Sequence, residues 1–306
     1  MSEGKIKFSI VIPVYNASEF LRDTLDSVRS QLYNNYEVLV TNDGSTDNTE
    51  EVLKNYQKVN LKFPLNFTTQ KNMGVSAARN NAIFCATGDY VAFLDQDDWW
   101  FPEKLEKMAR ILNMNNGIDV LYHRAISIGW KKRETTFKSG RLKAPEFTDL
   151  LLNGNRIGIS TAVVRLDKLK EVRGFHRDLH YIEDYDLWLK LASRNVNFYY
   201  MPDVLSKYIW RQESMSNKVE YMIKEKLTIL EYYFDMLRKD KSYSDRYLIK
   251  KCKKRKSVYL FGASRRFYYL KDYNNAINYS IKAIKTDFMF WKPYIGLLLS
   301  YFKLKF

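Results

Sequence analysis

Tyr90-Val91-Ala92-Phe93-Leu94-Asp95-Gln96-Asp97-Asp98 sets the reading of this chain. Five apolar residues ended by carboxylates describe a buried strand, and in an open α/β sheet the carboxyl end of such a strand is the ligand-binding edge. Acids crowded this closely repel one another unless something positive sits beside them. Hard cations take carboxylate oxygens, and Mg²⁺ sites typically combine one or two carboxylates with substrate phosphates. The cluster therefore reads as a seat for a divalent cation carrying a diphosphate. The competing structural reading makes Asp98 the cap of a helix starting near Trp99. One cap accounts for one acid and leaves Asp95 and Asp97 unexplained.

Upstream, Phe8-Ser9-Ile10-Val11-Ile12-Pro13-Val14-Tyr15-Asn16 is another buried-strand run, followed by a helical pattern through Leu21, Leu25, Val28 and Leu32. Glu37-Val38-Leu39-Val40 ends in Thr41-Asn42-Asp43-Gly44-Ser45-Thr46-Asp47, and a helix is predicted from about Thr49 to Gln57. A strand near Leu65 to Thr68 runs into Asn72-Met73-Gly74-Val75-Ser76-Ala77-Ala78-Arg79-Asn80, whose small residues suit a helix packed closely on a sheet. Each polar cluster follows a predicted strand. Right-handed connections between parallel strands place those ends on one edge, so Asp43, Arg79 and Asp95 are expected to converge.

Taken in this order, the four clusters resemble the family 2 glycosyltransferases with a GT-A-type fold. The resemblance implies a Rossmann-like nucleotide-sugar-binding α/β domain with a mostly parallel central sheet. It implies that Pro13, Tyr15 and Asp43 hold the nucleotide base, that Asp95 holds the ribose, and that Arg79 lies near the base and phosphates. Asp97, with Asp95, would bind Mn²⁺ or Mg²⁺. Further on, Val172-Arg173-Gly174-Phe175 and Ile182-Glu183-Asp184-Tyr185-Asp186-Leu187-Trp188-Leu189 resemble the family's acceptor-side segment, which makes Asp184 the expected catalytic base. Glu183, Arg211 and Trp188 are further expected contacts to acceptor or phosphates. The structural alternative is that Glu183, Asp184 and Asp186 merely favour the N-terminus of a helix running to Ser193.

Tyr208-Ile209-Trp210-Arg211-Gln212-Glu213-Ser214-Met215-Ser216 resembles the loop that closes this family's catalytic domain. Many relatives carry a His there. This chain has Gln212 and Glu213, which leaves the third metal ligand open, with His176 and His180 as substitutes.

The chain has 306 residues, 46% of them hydrophobic, enough for one α/β domain plus an appended module. Two cysteines, Cys85 and Cys252, argue against a disulfide scaffold. Met1-Ser2-Glu3-Gly4-Lys5 leads into the first strand without a signal peptide, and no apolar run approaches the roughly 20 residues of a spanning helix. A cytoplasmic enzyme, either free in the cytosol or peripheral on the inner face of the plasma membrane, is the expectation.

The catalytic part is expected over residues 1–215, with a basic α-helical region over 216–306. Residues 1–215 hold 29 Lys and Arg against 27 Asp and Glu, whereas 216–306 hold 21 against 8, a net +13. That region opens with a helical pattern from about Val219 to Arg238 and continues through Lys250-Lys251-Cys252-Lys253-Lys254-Arg255-Lys256. A segment from Phe267 to Ile284 resembles a single tetratricopeptide-like hairpin; stable arrays normally stack about three such repeats. No zinc-finger spacing or nucleic-acid recognition module accompanies the charge, so nucleic acid is not the expected partner. Phe288 to Phe306, rich in aromatics and lysines, suits an anionic membrane interface instead; the structural alternative is a terminal helix packed on the hairpin with a solvated basic face.

The expected activity is metal-dependent, inverting transfer of a sugar from a nucleotide-sugar, a UDP-sugar first, to a hydroxyl of a growing or lipid-linked surface glycan. A sugar-phosphate nucleotidyltransferase is the rival. It would want a Gly-rich basic loop after the first strand, where this chain has Val14-Tyr15-Asn16-Ala17-Ser18. A non-catalytic adaptor derived from a transferase is the other, and the retained Asp95, Asp97 and Asp184 speak against it.

Overall fold

The computed structural model describes residues 5–59, 63–128, 134–136, 140–209, 218–241 and 243–302. The chain divides into two compact units, Met1–Leu150 with Asn155–Arg211, and Leu151–Gly154 with Gln212–Phe306. This division and the expected one after residue 215 both fall within 210–217, outside the described residues.

The first unit is built on one sheet. β1 (Phe8–Val14), β2 (Tyr36–Asn42), β3 (Leu65–Thr69) and β4 (Tyr90–Phe93) alternate with α1 (Leu21–Arg29), α2 (Thr49–Gln57) and α3 (Val75–Cys85). These strands pair in parallel in the order β3-β2-β1-β4. Every residue of β1, β2 and β4 is buried, which is why they read as near-continuous apolar runs rather than alternating ones. In register, Val14 faces Asn42 and Asn42 faces Thr69, so three strands stop at one level and hand their loops to one edge. β4 pairs with β1 only as far as Val11, so the loop after it starts lower and rises alongside the end of β1.

Next come β5 (Trp99–Trp100), α4 (Lys104–Met114), β6 (Val120–Ile128), β7 (Glu134–Thr136), α5 (Glu146–Asn153), a 3₁₀ turn (Ile159–Thr161), β8 (Ala162–Arg165), α6 (Leu166–Glu171), α7 (Glu183–Ala192) and β9 (Phe198–Ile209). β8 inserts antiparallel between β4 and β6, β9 runs parallel to β6, and the short β5 and β7 pair antiparallel at β9 and β6. The parallel half carries the loops that contain Asp43 and Asp95, and Asp184 lies in α7, between β8 and β9 of the mixed half.

One competing reading falls and one expectation is corrected. No helix begins near Trp99: Trp99 and Trp100 form β5, and Asp98 accepts from the backbone N–H of Ile209 at 3.2 Å instead of capping. The apolar pattern of α1 does not extend to Leu32, which is 59% exposed beyond the helix end at Arg29.

The second unit is helical over its described residues, with α8 (Val219–Asp240), α9 (Asp245–Tyr269), α10 (Tyr273–Thr286) and α11 (Lys292–Tyr301). Side chains of Ser244 and Asp272 cap α9 and α10. The expected hairpin is formed by the end of α9 and α10, held close by Ser264 Oγ against Ser280 Oγ at 2.7 Å and by wholly buried Ala276 and Ala283. The Lys250 to Lys256 run lies within α9. No described helix is long and apolar enough to cross a membrane.

Candidate active site

The loops after β1 and β2 hold each other. Asn16 Oδ1 accepts from Thr46 N at 2.8 Å, Asn16 N donates to Ser45 Oγ at 3.0 Å, and Ala17 N donates to Thr49 Oγ1 at 2.7 Å. Asp47 accepts from Ser18 N and Thr49 N, and although burial pushes its carboxyl upward, the bonds from Thr49 and Ser18 bring it down to about 2. Tyr15 stands at the rim, 43% exposed, with its backbone N–H and C=O both bound by the side-chain amide of Gln96 at 2.7 and 3.2 Å. Gln96, between the acids, thus fixes the backbone of the residue that the resemblance assigns to the base. Pro13 is buried within β1, so it shapes the strand end from inside rather than offering an exposed face.

Asp43 has a structural task that the sequence did not reveal. Its carboxylate accepts from Gln70 Nε2, Met73 N and Gly74 N at 2.8 to 2.9 Å, binding the β3–α3 loop to the end of β2. Gly74 enters α3 at φ 89°, a conformation side-chain-bearing residues rarely adopt, and a Cβ there would meet His180 Nδ1 at 3.0 Å.

The three acids after β4 take three different environments. Asp95 Oδ1 accepts from Arg79 Nη2 at 2.6 Å. Asp97 lies half-buried at the turn. Asp98 is buried, and burial first, then the charges of Asp97 and Asp95, push its carboxyl well above the usual range. Ser160, in the 3₁₀ turn, supports the loop: its Oγ accepts from Asp95 N at 3.0 Å, and its carbonyl accepts from Trp100 Nε1 at 2.9 Å and from the buried Lys104 Nζ at 2.7 Å. Thr24 Oγ1 lies 2.7 Å from Gln96 O and 3.0 Å from Asp98 O.

Arg79 joins the two halves. It is 2% exposed, and beyond its contact with Asp95 its Nη1 donates to Glu183 Oε1 at 2.7 Å. Asp95, after β4, and Glu183, at the start of α7, therefore share one guanidinium, whose proton the two carboxylates hold firmly against the penalty of burial. Two more α3 residues reach the same segment. Asn80 exchanges bonds with the backbone O and N of Phe175 at 2.9 and 2.8 Å, and Ser76 Oγ donates to Leu179 O at 2.8 Å.

Glu183 opens α7. Burial pushes its carboxyl up to about 7, with Arg79 opposing and Asp184 adding to the rise. Asp184 is raised too, by burial first, with Arg79 opposing and Asp95 contributing. Its Oδ2 accepts from Asn155 Nδ2 at 2.9 Å, and its Oδ1 from the N–H of Tyr185 at 2.6 Å. A half-buried carboxylate with raised affinity for a proton, fixed by two donors, has the properties of a general base. Trp188, expected as an acceptor contact, is instead fully buried, its Nε1 donated to Ile157 O at 3.1 Å; it anchors α7 in the core. Arg211 lies outside the described residues.

The oxygens of Asp95 and Asp97 form a hard donor set, which fits Mg²⁺ or Mn²⁺ completed by substrate phosphates. Among the described residues no three His, Cys, Asp or Glu side chains group as a metal site, and His176 and His180 do not complete one. His176 is exposed near Asp178, and His180 lies against Gly74.

The carboxyl edge of the sheet thus gathers these loops, with the acid turn and Glu183, the neighbour of Asp184, tied to one buried arginine. The family model for glycosyl transferase family 2 matches residues 9–172, and the chain belongs to that family. It is 31% identical over 226 residues to the UDP-Glc:alpha-D-GlcNAc-diphosphoundecaprenol beta-1,3-glucosyltransferase WfgD of Escherichia coli, covering 72% of this chain and 84% of that one. It is 31% identical over 209 residues to an uncharacterized glycosyltransferase of Rickettsia typhi, covering 65% of this chain and 62% of the relative's length. Among solved structures, Staphylococcus aureus TarS 1-349 in complex with UDP-GlcNAc matches with a TM-score of 0.65 at 19% identity, over 92% of this chain and 81% of that one. The mannosyltransferase PcManGT of Pyrobaculum calidifontis, in complex with GDP-Man and Mn²⁺, matches with a TM-score of 0.61 at 15% identity, over 98% and 87%. The structural matches establish the GT-A fold.

Proposed function

We propose that this glycosyltransferase carries out a metal-dependent, inverting transfer of a sugar from a UDP-sugar to a hydroxyl of a lipid-linked glycan in surface polysaccharide synthesis. The observation that carries this reading is the Asp95–Arg79–Glu183 junction, which ties the donor-side turn to the helix bearing Asp184. Tyr15 and Asp43 are assigned to the base end of the donor, and Asp95 and Arg79 to the ribose and phosphate side. Asp184 takes the proton of the acceptor hydroxyl as its oxygen attacks the anomeric carbon and the bond to UDP breaks. Asn155 and the Tyr185 N–H hold the carboxylate in place for that transfer. A bound Mg²⁺ or Mn²⁺, held by Asp97 with Asp95, would supply Lewis-acid stabilisation of the leaving diphosphate, worth several kcal/mol.

A UDP donor is supported by the UDP-GlcNAc complex of TarS and by the printed donor of WfgD, whose acceptor is a diphosphoundecaprenol-linked sugar. A metal is supported by the Mn²⁺ complex of PcManGT. A lipid-linked acceptor brings the reaction to the inner face of the plasma membrane, and the net +13 over residues 216–306 supplies attraction to an anionic leaflet. The direct test is a screen of nucleotide-sugars for hydrolysis by the purified protein, with and without EDTA. Turnover of a UDP-sugar that EDTA abolishes and Mn²⁺ restores is expected. Full activity in EDTA would remove the metal from this reading, and a preference for GDP-sugars would remove UDP.

A further inference from the structure

We infer that α11 and the turn before it form an interfacial membrane-docking surface, with the large apolar side chains of 288–302 inserted among anionic lipid headgroups. α11 is amphipathic in the inverted sense. Its buried positions are Pro293, Gly296 and Ser300. A Cβ on Gly296 would meet Phe261 at 2.6 Å and Ser280 Oγ at 3.3 Å, so only small residues fit the inward face. The outward positions are Tyr294, Ile295, Leu298, Tyr301 and Phe302, between 41 and 71% exposed, at the spacing of one helix face. Phe288, Met289 and Trp291 extend the patch, at 61 to 76% exposed.

Chemistry selects the occupant. Tyr, Trp and Phe beside Lys is the composition of headgroup-level anchors, and residues 288–306 contain Lys292, Lys303 and Lys305 but no Asp or Glu. A protein partner for so basic a region would be expected to meet some charge of both signs; an anionic leaflet needs only the one. α11 supplies apolar insertion, and the rest of the basic unit supplies attraction. Membrane anchoring generally needs two such signals. Within the α9 cluster, Lys256 is engaged with Glu231 at 2.6 Å and Arg255 lies over the Tyr259 ring, so charge there is partly spent on folding. This inference rests on the proposed encounter with an anionic leaflet and identifies the surface that makes it.

The test uses the full chain with vesicles of phosphatidylglycerol or phosphatidylcholine at 0.1 M salt, some carrying brominated acyl chains. Sedimentation with phosphatidylglycerol vesicles, quenching by brominated lipid that Trp291→Phe removes, and a drop of about tenfold or more in partitioning for Leu298→Glu are expected. Leu298 is exposed, so the substitution is compatible with the fold, and circular dichroism with unchanged donor hydrolysis checks it. Equal vesicle binding by Leu298→Glu would leave attraction by charge standing and overturn docking through α11. No vesicle binding by the intact chain would overturn both, and self-association that Leu298→Glu abolishes would assign the patch to a second copy. Loss of donor hydrolysis in the intact chain would instead count against the transferase reading alone.

Discussion

At the scale of residues, the centre depends on a proton affinity set by burial. Glu183 and Asp184 are adjacent acids under one arginine, so their titration belongs to the pair. With Glu183 raised to about 7 and Asp184 raised as well, the acid limb of the pH–kcat profile is expected above the ordinary carboxylate range, with activity falling as pH drops through the pair's raised titration. Stability has the opposite sign. A raised Glu183 contributes fully below its ordinary value of 4.5, and its contribution is lost as pH rises through about 7, so the protein unfolds more readily over the window where it becomes active. Measuring kcat and the urea midpoint from pH 4.5 to 8.5 checks both; an acid limb near pH 4 would contradict the pair's assignment. The acids themselves were legible in the sequence because each ends a strand or opens a helix. Gln96, Ser160 and Asn155 were not recognised, because a lone polar residue whose partner lies 29 to 81 positions away leaves no local pattern.

At the scale of elements, α3 holds the acceptor-side segment to the sheet. Its alanines pack inward, with Ala78 fully buried, as the run of small residues predicted. Its polar residues Ser76, Arg79 and Asn80 reach Leu179, Glu183 and Phe175, contacts the sequence did not reveal, since it placed Arg79 only near the base and phosphates. Gly174 belongs to this contact: at φ 62°, its added Cβ would lie 2.3 Å from Asn80 Oδ1. Gly174→Ala is expected to cost about 1–3 kcal/mol in urea unfolding and to lower turnover more than donor affinity, since it displaces the segment leading to α7. A change below about 0.5 kcal/mol would show that the loop yields freely. The parallel strands were readable because burial on both faces writes them as apolar runs. β5 was not: two tryptophans after an acid look equally like a helix start, and only pairing of Trp99 with Lys207 and Trp100 with Ser206 decides it.

At the scale of the whole molecule, the sequence showed two regions through charge: a nearly neutral transferase part and a helical part with net +13. What it could not show is that the last helix faces inward with its small residues, because an inverted amphipathic helix and an ordinary one share the same period. The central claim is likewise a property of the whole chain: residues from both halves of the first unit, more than a hundred positions apart, form one reaction centre through Arg79. Asp184→Asn preserves size and removes the proton acceptor, so it separates chemistry from binding. With a saturating UDP-sugar and Mn²⁺, kcat is expected to fall by about 10²- to 10⁴-fold, with donor Kd within about twofold of the unmodified protein. A kcat within about tenfold of the unmodified value, or a product that retains the donor's anomeric configuration, would contradict an inverting transfer driven by Asp184.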